Sequence, residues 1–116
     1  MIIVANTSPI NYLVLIGQVE VLHKLFGQVT IPQAVYRELS NIEAPEPVRN
    51  WITAPSNWLK VQPVKLAPDE VLDLLDLGEQ AAILLAKEID ADLVLLDDMK
   101  ARRAAMAKGL TITGIL

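Results

Sequence analysis

The fold of this chain is decided by the stretch Leu93-Val94-Leu95-Leu96-Asp97-Asp98-Met99-Lys100-Ala101-Arg102-Arg103. A short apolar run that stops at a turn signal is typical of a strand buried on both faces of a sheet. The alanine-rich, basic residues that follow favour a helix, so Asp97 and Asp98 lie at the junction between a strand and a helix. In open α/β sheets, ligands gather at the carboxyl ends of the strands. Paired anionic side chains in such a place need a cation, a proton or basic neighbours.

The composition is that of one small aliphatic domain. The chain has 116 residues, of which 53% are hydrophobic and 4% aromatic, so we expect a single domain over residues 1–116 with an aliphatic core. It contains no cysteine, which excludes disulfides and thiolate metal sites and fits a cytoplasmic location. The formal net charge of −4 argues against a generally basic nucleic-acid binder, but it allows an acidic metal pocket with a local basic rim.

The sequence contains no segment suited to a membrane or to export. Its longest apolar stretches are interrupted well short of the ~18 residues that a span needs. No basic segment precedes the apolar N-terminus, which is broken by Asn6-Thr7-Ser8-Pro9, so a signal peptide is not expected. We therefore expect no association with a membrane.

Strand-like and helix-like segments alternate along the chain. Strands are predicted at residues 2–5, 29–31, 59–61, 93–96 and 111–113. Helices are predicted near residues 9–17, 19–26, 34–39, 69–75, 79–89 and 100–108, with a helical turn at 48–52. The alternation predicts a three-layer α/β/α domain with a mostly parallel, five-stranded sheet. Because the chain ends directly after the last strand, we expect that a C-terminal helix is missing.

Polar side chains stand at the ends of several predicted elements. They are Asn6 after the first strand, Glu38 on the helix after the second, Glu79 before the fourth, and Asp97 and Asp98 after the fourth. The first and fourth strands are neighbours if the strand order reverses between them, which is where doubly wound sheets form their crevice. Mg²⁺ prefers such oxygen ligands, and metal ions in such a crevice can activate a water and stabilise the leaving oxygen of a phosphodiester.

Each of these side chains also has a structural interpretation. Asn6 is suited to cap the turn into the first helix, and Glu79 is favoured near a helix N-terminus by the helix dipole. Glu38 is compatible with a solvated helix face, and one of Asp97 and Asp98 is suited to cap the helix that follows.

Three further features bear on function or on local structure. The basic side chains after the acidic pair, Lys100, Arg102, Arg103 and Lys108, suit either a solvated helix face or contact with an RNA backbone. Ser8 is predicted to be the N-cap of the first helix, with Pro9 at the first helical position. The single histidine, His23, lies in an apolar helix and is assigned no role.

Four short motifs together resemble a PIN domain, in particular the VapC-like branch of toxins from bacterial toxin–antitoxin pairs. The motifs are Ile3-Val4-Ala5-Asn6-Thr7-Ser8-Pro9-Ile10, then Val29-Thr30-Ile31-Pro32 with Val35-Tyr36-Arg37-Glu38-Leu39, then Leu77-Gly78-Glu79-Gln80-Ala81-Ala82, and finally Leu95-Leu96-Asp97-Asp98 with Lys100-Ala101-Arg102. Each motif alone is weak, but four in this order form a specific match over nearly the whole chain.

The resemblance implies metal-dependent endoribonuclease chemistry with Mg²⁺ or Mn²⁺ on a five-stranded parallel sheet. The acidic positions of the family fall on Asn6, Glu38, Glu79 and Asp98, and Asp97 is an adjacent metal-ligand candidate. These residues are the candidate catalytic and metal-binding set.

The resemblance also implies partners. RNA is the expected substrate, with Ser8, Lys100 and Arg102 as the candidate contacts, since Ser8 matches a hydroxyl often found just after the first acid. An antitoxin protein is a further expected partner. We also expect a homodimer, and the first two helices, rich in leucine, valine and isoleucine, are the expected contact. The alternative is that this surface receives the missing C-terminal helix or an antitoxin segment.

One departure from the family bears on activity. The family usually has Asp where this chain has Asn6, and an amide oxygen can ligate a metal ion without contributing charge. The alternative is therefore a weak or inactive PIN-like binding module that pairs with itself or with an antitoxin. A phosphate-binding α/β domain is disfavoured because no glycine-rich phosphate loop occurs. A phospho-acceptor receiver domain is disfavoured because its acid pair would follow the first strand.

Overall fold

Five parallel strands form the centre of the molecule, with α-helices on both faces. A computed structural model describes residues 1–54 and 56–114. The strands are β1 (Ile3–Ala5), β2 (Val29–Pro32), β3 (Leu59–Gln62), β4 (Leu93–Leu95) and β5 (Ile112–Thr113). The helices are α1 (Thr7–Leu15), α2 (Glu20–Phe26), α3 (Gln33–Ser40), α4 (Glu46–Thr53), α5 (Leu77–Glu88) and α6 (Met99–Ala107).

The strand order reverses next to β1. The sheet runs β3-β2-β1-β4-β5 with every pairing parallel, and Val4 of β1 faces Thr30 of β2 on one side and Val94 of β4 on the other. The three-layer α/β fold with a parallel five-stranded sheet is thus confirmed. The reversal leaves a crevice at the carboxyl ends of β1 and β4, where ligands of such sheets bind.

Alternating side chains of the sheet build two separate cores. Ile3 and Ala5 of β1 pack with side chains from α1 to α4, whereas Val4 packs with side chains from α5 and α6. On β4, Leu95 joins the first core and Val94 the second. Since both faces of these strands are covered, their apolar runs are continuous rather than alternating.

The start of α1 differs from the prediction. The helix begins at Thr7, with Asn6 at its N-cap, so Ser8 is not the cap. Asn6 has extended backbone angles, φ −86° and ψ 175°, and its N–H donates to the Leu95 carbonyl of β4. Extended backbone therefore continues through Asn6 to the first residue of the helix, and no turn separates the two elements.

The predicted helix at 69–75 is only one 3₁₀ turn, Glu70–Leu72. The Asp69 side chain accepts the Val71 N–H, and such local bonding competes with α-helix formation. By contrast, the turn predicted at 48–52 is the two-turn helix α4, because Pro47 fits the first turn of a helix and Val48 and Ile52 pack in the core. Among the helices that the structure describes, none has the length and apolar character to cross a membrane.

Candidate functional site

Asn6 is buried at the point where β1 ends, in the crevice between β1 and β4. Its side chain does not cap α1, so the capping role considered for it is wrong. Within the described part of the chain, Asn6 Oδ1 is buried and has no hydrogen-bond partner. A buried polar atom left unpaired costs about 1–3 kcal/mol, so this oxygen is available to a bound cation or water.

Glu38 reaches the crevice from α3 and is held by Thr7. Thr7 Oγ1 donates a hydrogen bond of 2.5 Å to Glu38 Oε1. On the other side, a Cβ added to Gly78 of α5 would lie 2.0 Å from the same oxygen, so only glycine leaves room for this carboxylate. Burial is the main cause that raises the pKa of Glu38, the Thr7 hydrogen bond opposes the rise, and the charge of Asp76 adds to it.

Glu79 lies at the start of α5 in a capping box with Asp76. The Glu79 N–H donates to Asp76 Oδ1 at 2.8 Å, and the Asp76 N–H donates to Glu79 Oε1 at 3.1 Å. Glu79 is only 8% exposed, and burial is the main cause that raises its pKa. The charges of Asp76, Asp98 and Glu38 raise the pKa of Glu79 further. These three carboxylates therefore lie near enough to Glu79 to act on its charge.

The two aspartates after β4 have different surroundings. Asp98 is exposed and caps α6, since its Oδ2 accepts the Ala101 N–H at 3.0 Å. Asp97 is half-buried, and its Oδ1 lies 2.9 Å from the position that a Cβ on Gly114 would take. The structural interpretation of one aspartate as an N-cap is therefore confirmed for Asp98, whose charge nonetheless acts on Glu79.

The candidate RNA contacts differ in accessibility. Ser8 of α1 and Lys100 of α6 are exposed. Arg102 is half-buried, its Nη2 lies 3.4 Å from the position of a Cβ on Gly114, and its Nε is buried without a partner in the described residues. Lys100 is thus the better placed of the two cations to meet a phosphate from solvent.

A cavity of about 340 Å³ opens beside Glu38. The polar residues that line it are Thr7, Ser8, Asn11, Glu38, Asn41 and Glu43. Two of them, Thr7 and Glu38, also belong to the crevice, so the cavity continues the candidate site toward α1 and the end of α3.

Three residues of the site were not predicted from the sequence: Thr7, Asp76 and Gly78. Asp76 has a readable signal, because Asp76-Leu77-Gly78-Glu79 is a capping-box pattern that sets the helix start two residues before Glu79. Thr7 and Gly78 have no such signal, since their roles depend on where α3 brings Glu38.

The chemical types of the oxygen atoms in the crevice suit a hard divalent cation. The atoms are carboxylate oxygens and one unpartnered amide oxygen, which are the ligands that Mg²⁺ prefers. Within residues 1–54 and 56–114, however, no three side chains of Asp, Glu, His or Cys are grouped closely enough to hold a metal ion. Glu38, Glu79 and Asp98 each give one oxygen to a protein donor, so a full set of contacts requires side-chain movement or bridging waters.

These features define a class of protein, a parallel α/β domain with an acidic crevice at the point where the strand order reverses. The family model of DUF3368, a PIN domain, matches residues 2–116, and the chain belongs to this family. PIN domains are generally nucleases that use divalent metal ions.

A solved structure shares the fold. It is a PilT N-terminus domain protein, SSO1118, from the hyperthermophilic archaeon Sulfolobus solfataricus P2, with a TM-score of 0.72 and 18% sequence identity. The similarity covers 99% of this chain and 87% of that one. No curated protein matches this chain significantly.

Proposed function

We propose that this chain is a metal-dependent endoribonuclease. The observation that carries the proposal is the concentration of negative charge at the switch point of a PIN-domain sheet, where Glu79 is acted on by Asp76, Asp98 and Glu38. Among the described residues, Glu38, Glu79 and Asp98 form no ion pair that would neutralise them. A site that gathers unneutralised carboxylates is suited to bind a cation.

Glu38, Glu79 and Asp98 would hold Mg²⁺ or Mn²⁺ through carboxylate oxygens, and Asn6 would complete the set through Oδ1. Asp97 remains an adjacent candidate. The chemistry that a divalent ion supplies at such a set is the activation of water and the neutralisation of charge on a phosphodiester.

The chain's own groups prepare this site. Thr7 fixes one oxygen of Glu38, and the Asp76 N–H fixes one oxygen of Glu79, so the two carboxylates are oriented before any ligand arrives. Their raised pKa values mean that they hold protons more tightly than free glutamates, and cation binding releases such protons. Lys100, exposed on the helix that Asp98 caps, would attract the phosphate backbone of RNA, and Arg102 and Ser8 are the further candidate contacts.

The finer proposal is a cytoplasmic toxin of VapC-like type that is restrained by an antitoxin and acts as a homodimer. The resemblance of the four motifs to that branch supports the toxin and its antitoxin partner. Exposed apolar side chains on the first two helices, Leu15 and Leu25, support the dimer.

A second candidate function is a PIN-like module without nuclease activity, which acts only by pairing with another protein. Asn6 favours it, because the amide supplies no charge where the family usually has Asp. The lack of a preformed group of three acidic ligands among the described residues also favours it.

The two candidates are separated by cleavage of a fluorescently labelled single-stranded RNA with Mn²⁺. We expect cleavage by the wild type, a loss of roughly tenfold or more in Asp98→Asn, and no loss in the surface control Glu20→Gln. Asn preserves the helix cap, so the aspartate variant removes charge alone. Binding of Mn²⁺, measured by calorimetry, should weaken in parallel. Absence of both cleavage and Mn²⁺ binding in the wild type would establish the inactive module.

A further inference from the structure

We propose that the cavity beside Glu38 is a recognition pocket for a nucleobase that carries an exocyclic amino group. The inference rests on the proposed function, because it takes single-stranded RNA as the ligand. The occupant is the base of a nucleotide next to the phosphate at the acidic crevice.

The position of the cavity links it to that crevice. Glu38 and Thr7 line the cavity, and the same pair forms the hydrogen bond that orients Glu38 in the crevice. A group bound in the cavity therefore contacts residues that also belong to the crevice, as the base of a strand that continues into the crevice would do. A volume of about 340 Å³ falls at the lower end of small-ligand pockets, which suits a single base.

The charge of the lining disfavours a phosphate. Its charged members are both acidic, Glu38 and Glu43, and no lysine, arginine or histidine lines the cavity in the described part of the chain. An anionic group would be repelled there, whereas a neutral base that donates hydrogen bonds would be attracted.

The amide side chains supply the complementary donors. Asn41 Oδ1 accepts the Glu43 N–H at 2.9 Å, so this amide is oriented and its NH₂ group is left to donate. Asn11 lines the same cavity and offers both a donor and an acceptor. Asparagine amides and carboxylates read the edges of adenine and cytosine in this way, and unpaired RNA bases are read by such edge contacts.

Uracil is the base that this lining suits least. It has no exocyclic amino group to donate to Glu43, and its one Watson–Crick-edge donor, N3–H, lies between two carbonyl oxygens that would face the acidic side chains. The pocket should therefore prefer adenosine, cytidine or guanosine to uridine at one position of a bound strand.

The test is binding of labelled RNA octamers, measured by fluorescence anisotropy. The octamers are oligouridylate and its variants with one adenosine, cytidine or guanosine. Binding is measured in EDTA and with Ca²⁺, and gels verify that the RNA stays intact. We expect the wild type to bind at least one guest-containing octamer roughly tenfold more tightly than oligouridylate.

Variants assign this preference to the pocket. Asn11→Ala and Glu43→Ala should lose the preference, and neither should bind oligouridylate more weakly than the wild type, because removal of the Glu43 charge only lowers repulsion of the strand. The control Glu20→Ala, on a different cavity, should keep both the preference and the weak binding. Thermal melts verify that each variant is folded. Equal binding of all octamers by the wild type, no binding of any, or an undiminished preference in both pocket variants would overturn the inference.

The result of this binding test can be distinguished from the result of the cleavage test of the proposed function. A preference for the guest bases without any cleavage in Mn²⁺ would reject the nuclease and keep the pocket. Cleavage without such a preference would keep the nuclease and reject the pocket.

Discussion

At the scale of single residues, the candidate site contains one amide side chain, that of Asn6, among several carboxylates. Asn6 is buried with Oδ1 unpartnered among the described residues, while Glu38 and Glu79 are protonated more readily than free glutamates. A carboxylate in place of Asn6 would add a further buried negative charge to the crevice. The amide therefore favours folding of the metal-free protein and, at the proposed metal site, would hold a cation less strongly than a carboxylate.

Asn6→Asp should reverse that balance. We expect Mn²⁺ to bind more tightly, on the order of tenfold, because the charge of the ligand set increases. Without metal, the melting temperature should fall, because a buried charge is added beside other acids. Calorimetry and thermal melts with Mn²⁺ or EDTA measure both effects. Equal Mn²⁺ affinities in the two proteins would remove Asn6 from the ligand set.

Glu79→Gln tests the raised pKa of Glu79 in EDTA. The folded state binds the Glu79 proton more tightly than the unfolded state, whose carboxyl has the ordinary pKa of 4.5. Stability of the wild type is therefore lost as the pH rises from that value through the raised pKa, and the deficit persists above it. Glutamine keeps the capping-box contact without the charge.

The variant should melt a few degrees higher than the wild type at about pH 7. The difference should shrink toward about pH 4, where Glu79 is protonated in both states. Thermal melts across this range measure it, with Glu88→Gln on the far end of α5 as the control. A difference that does not vary with pH would contradict the assignment of the shift to Glu79.

At the scale of elements, the start of α5 serves both the helix and the site. The Asp76–Glu79 capping box satisfies N–H groups at the helix start, and the same two carboxylates contribute to the charge of the crevice. Between them, Gly78 leaves the space that Glu38 of α3 occupies. The position of the Glu38 carboxylate against α5 therefore depends on a residue without a side chain.

Gly78→Ala should separate stability from metal binding. Alanine favours a helix by about 0.5–1 kcal/mol over glycine, and the atom that its methyl group meets is the end of a flexible side chain. We expect urea denaturation to show unchanged or higher stability, and calorimetry to show weaker Mn²⁺ binding because Glu38 is displaced. Ala81→Gly, one turn into the same helix, is the matched control for helix propensity. Unchanged Mn²⁺ affinity in Gly78→Ala would contradict a role for Glu38 as a ligand.

At the scale of the whole molecule, the sheet separates two cores and leaves apolar side chains outside them. On α2, Leu22 is fully buried whereas Leu25 is 68% exposed. Leu22 therefore belongs to the core, and the proposed dimer contact uses exposed side chains such as Leu25 and, on α1, Leu15. On the opposite layer, Leu74 is 85% exposed and lines a cavity against α6.

Leu25→Asp should convert the proposed dimer to a monomer without unfolding it. A charge at an apolar contact is costly when buried, but costs little on a side chain that the monomer leaves exposed. Light scattering at micromolar concentration measures the mass, and Leu74→Asp on the other layer should leave the dimer intact. A wild type that is monomeric under these conditions would reject the dimer.

The order of the elements was predictable from local signals. Continuous β-branched and leucine runs indicate strands covered on both faces, and glycines at 17, 27 and 109 mark helix ends through their positive φ angles. The bounds of the elements were harder to predict where polar side chains form hydrogen bonds with nearby backbone groups. Asp69 turned a predicted helix into one 3₁₀ turn, and Asp76 moved the start of α5.

The fold class and the kinds of polar atoms near the strand ends follow from the sequence alone, because periodicity and residue chemistry are local properties. Which of those atoms lie close enough to act on one another's charge depends on the tertiary structure. The reversal of strand order joins the ends of β1 and β4, and helix packing brings Glu38 against Gly78 and Thr7. These contacts join residues far apart in sequence, so no local pattern encodes them. The burial that raises the pKa values of Glu38 and Glu79 arises from the same packing.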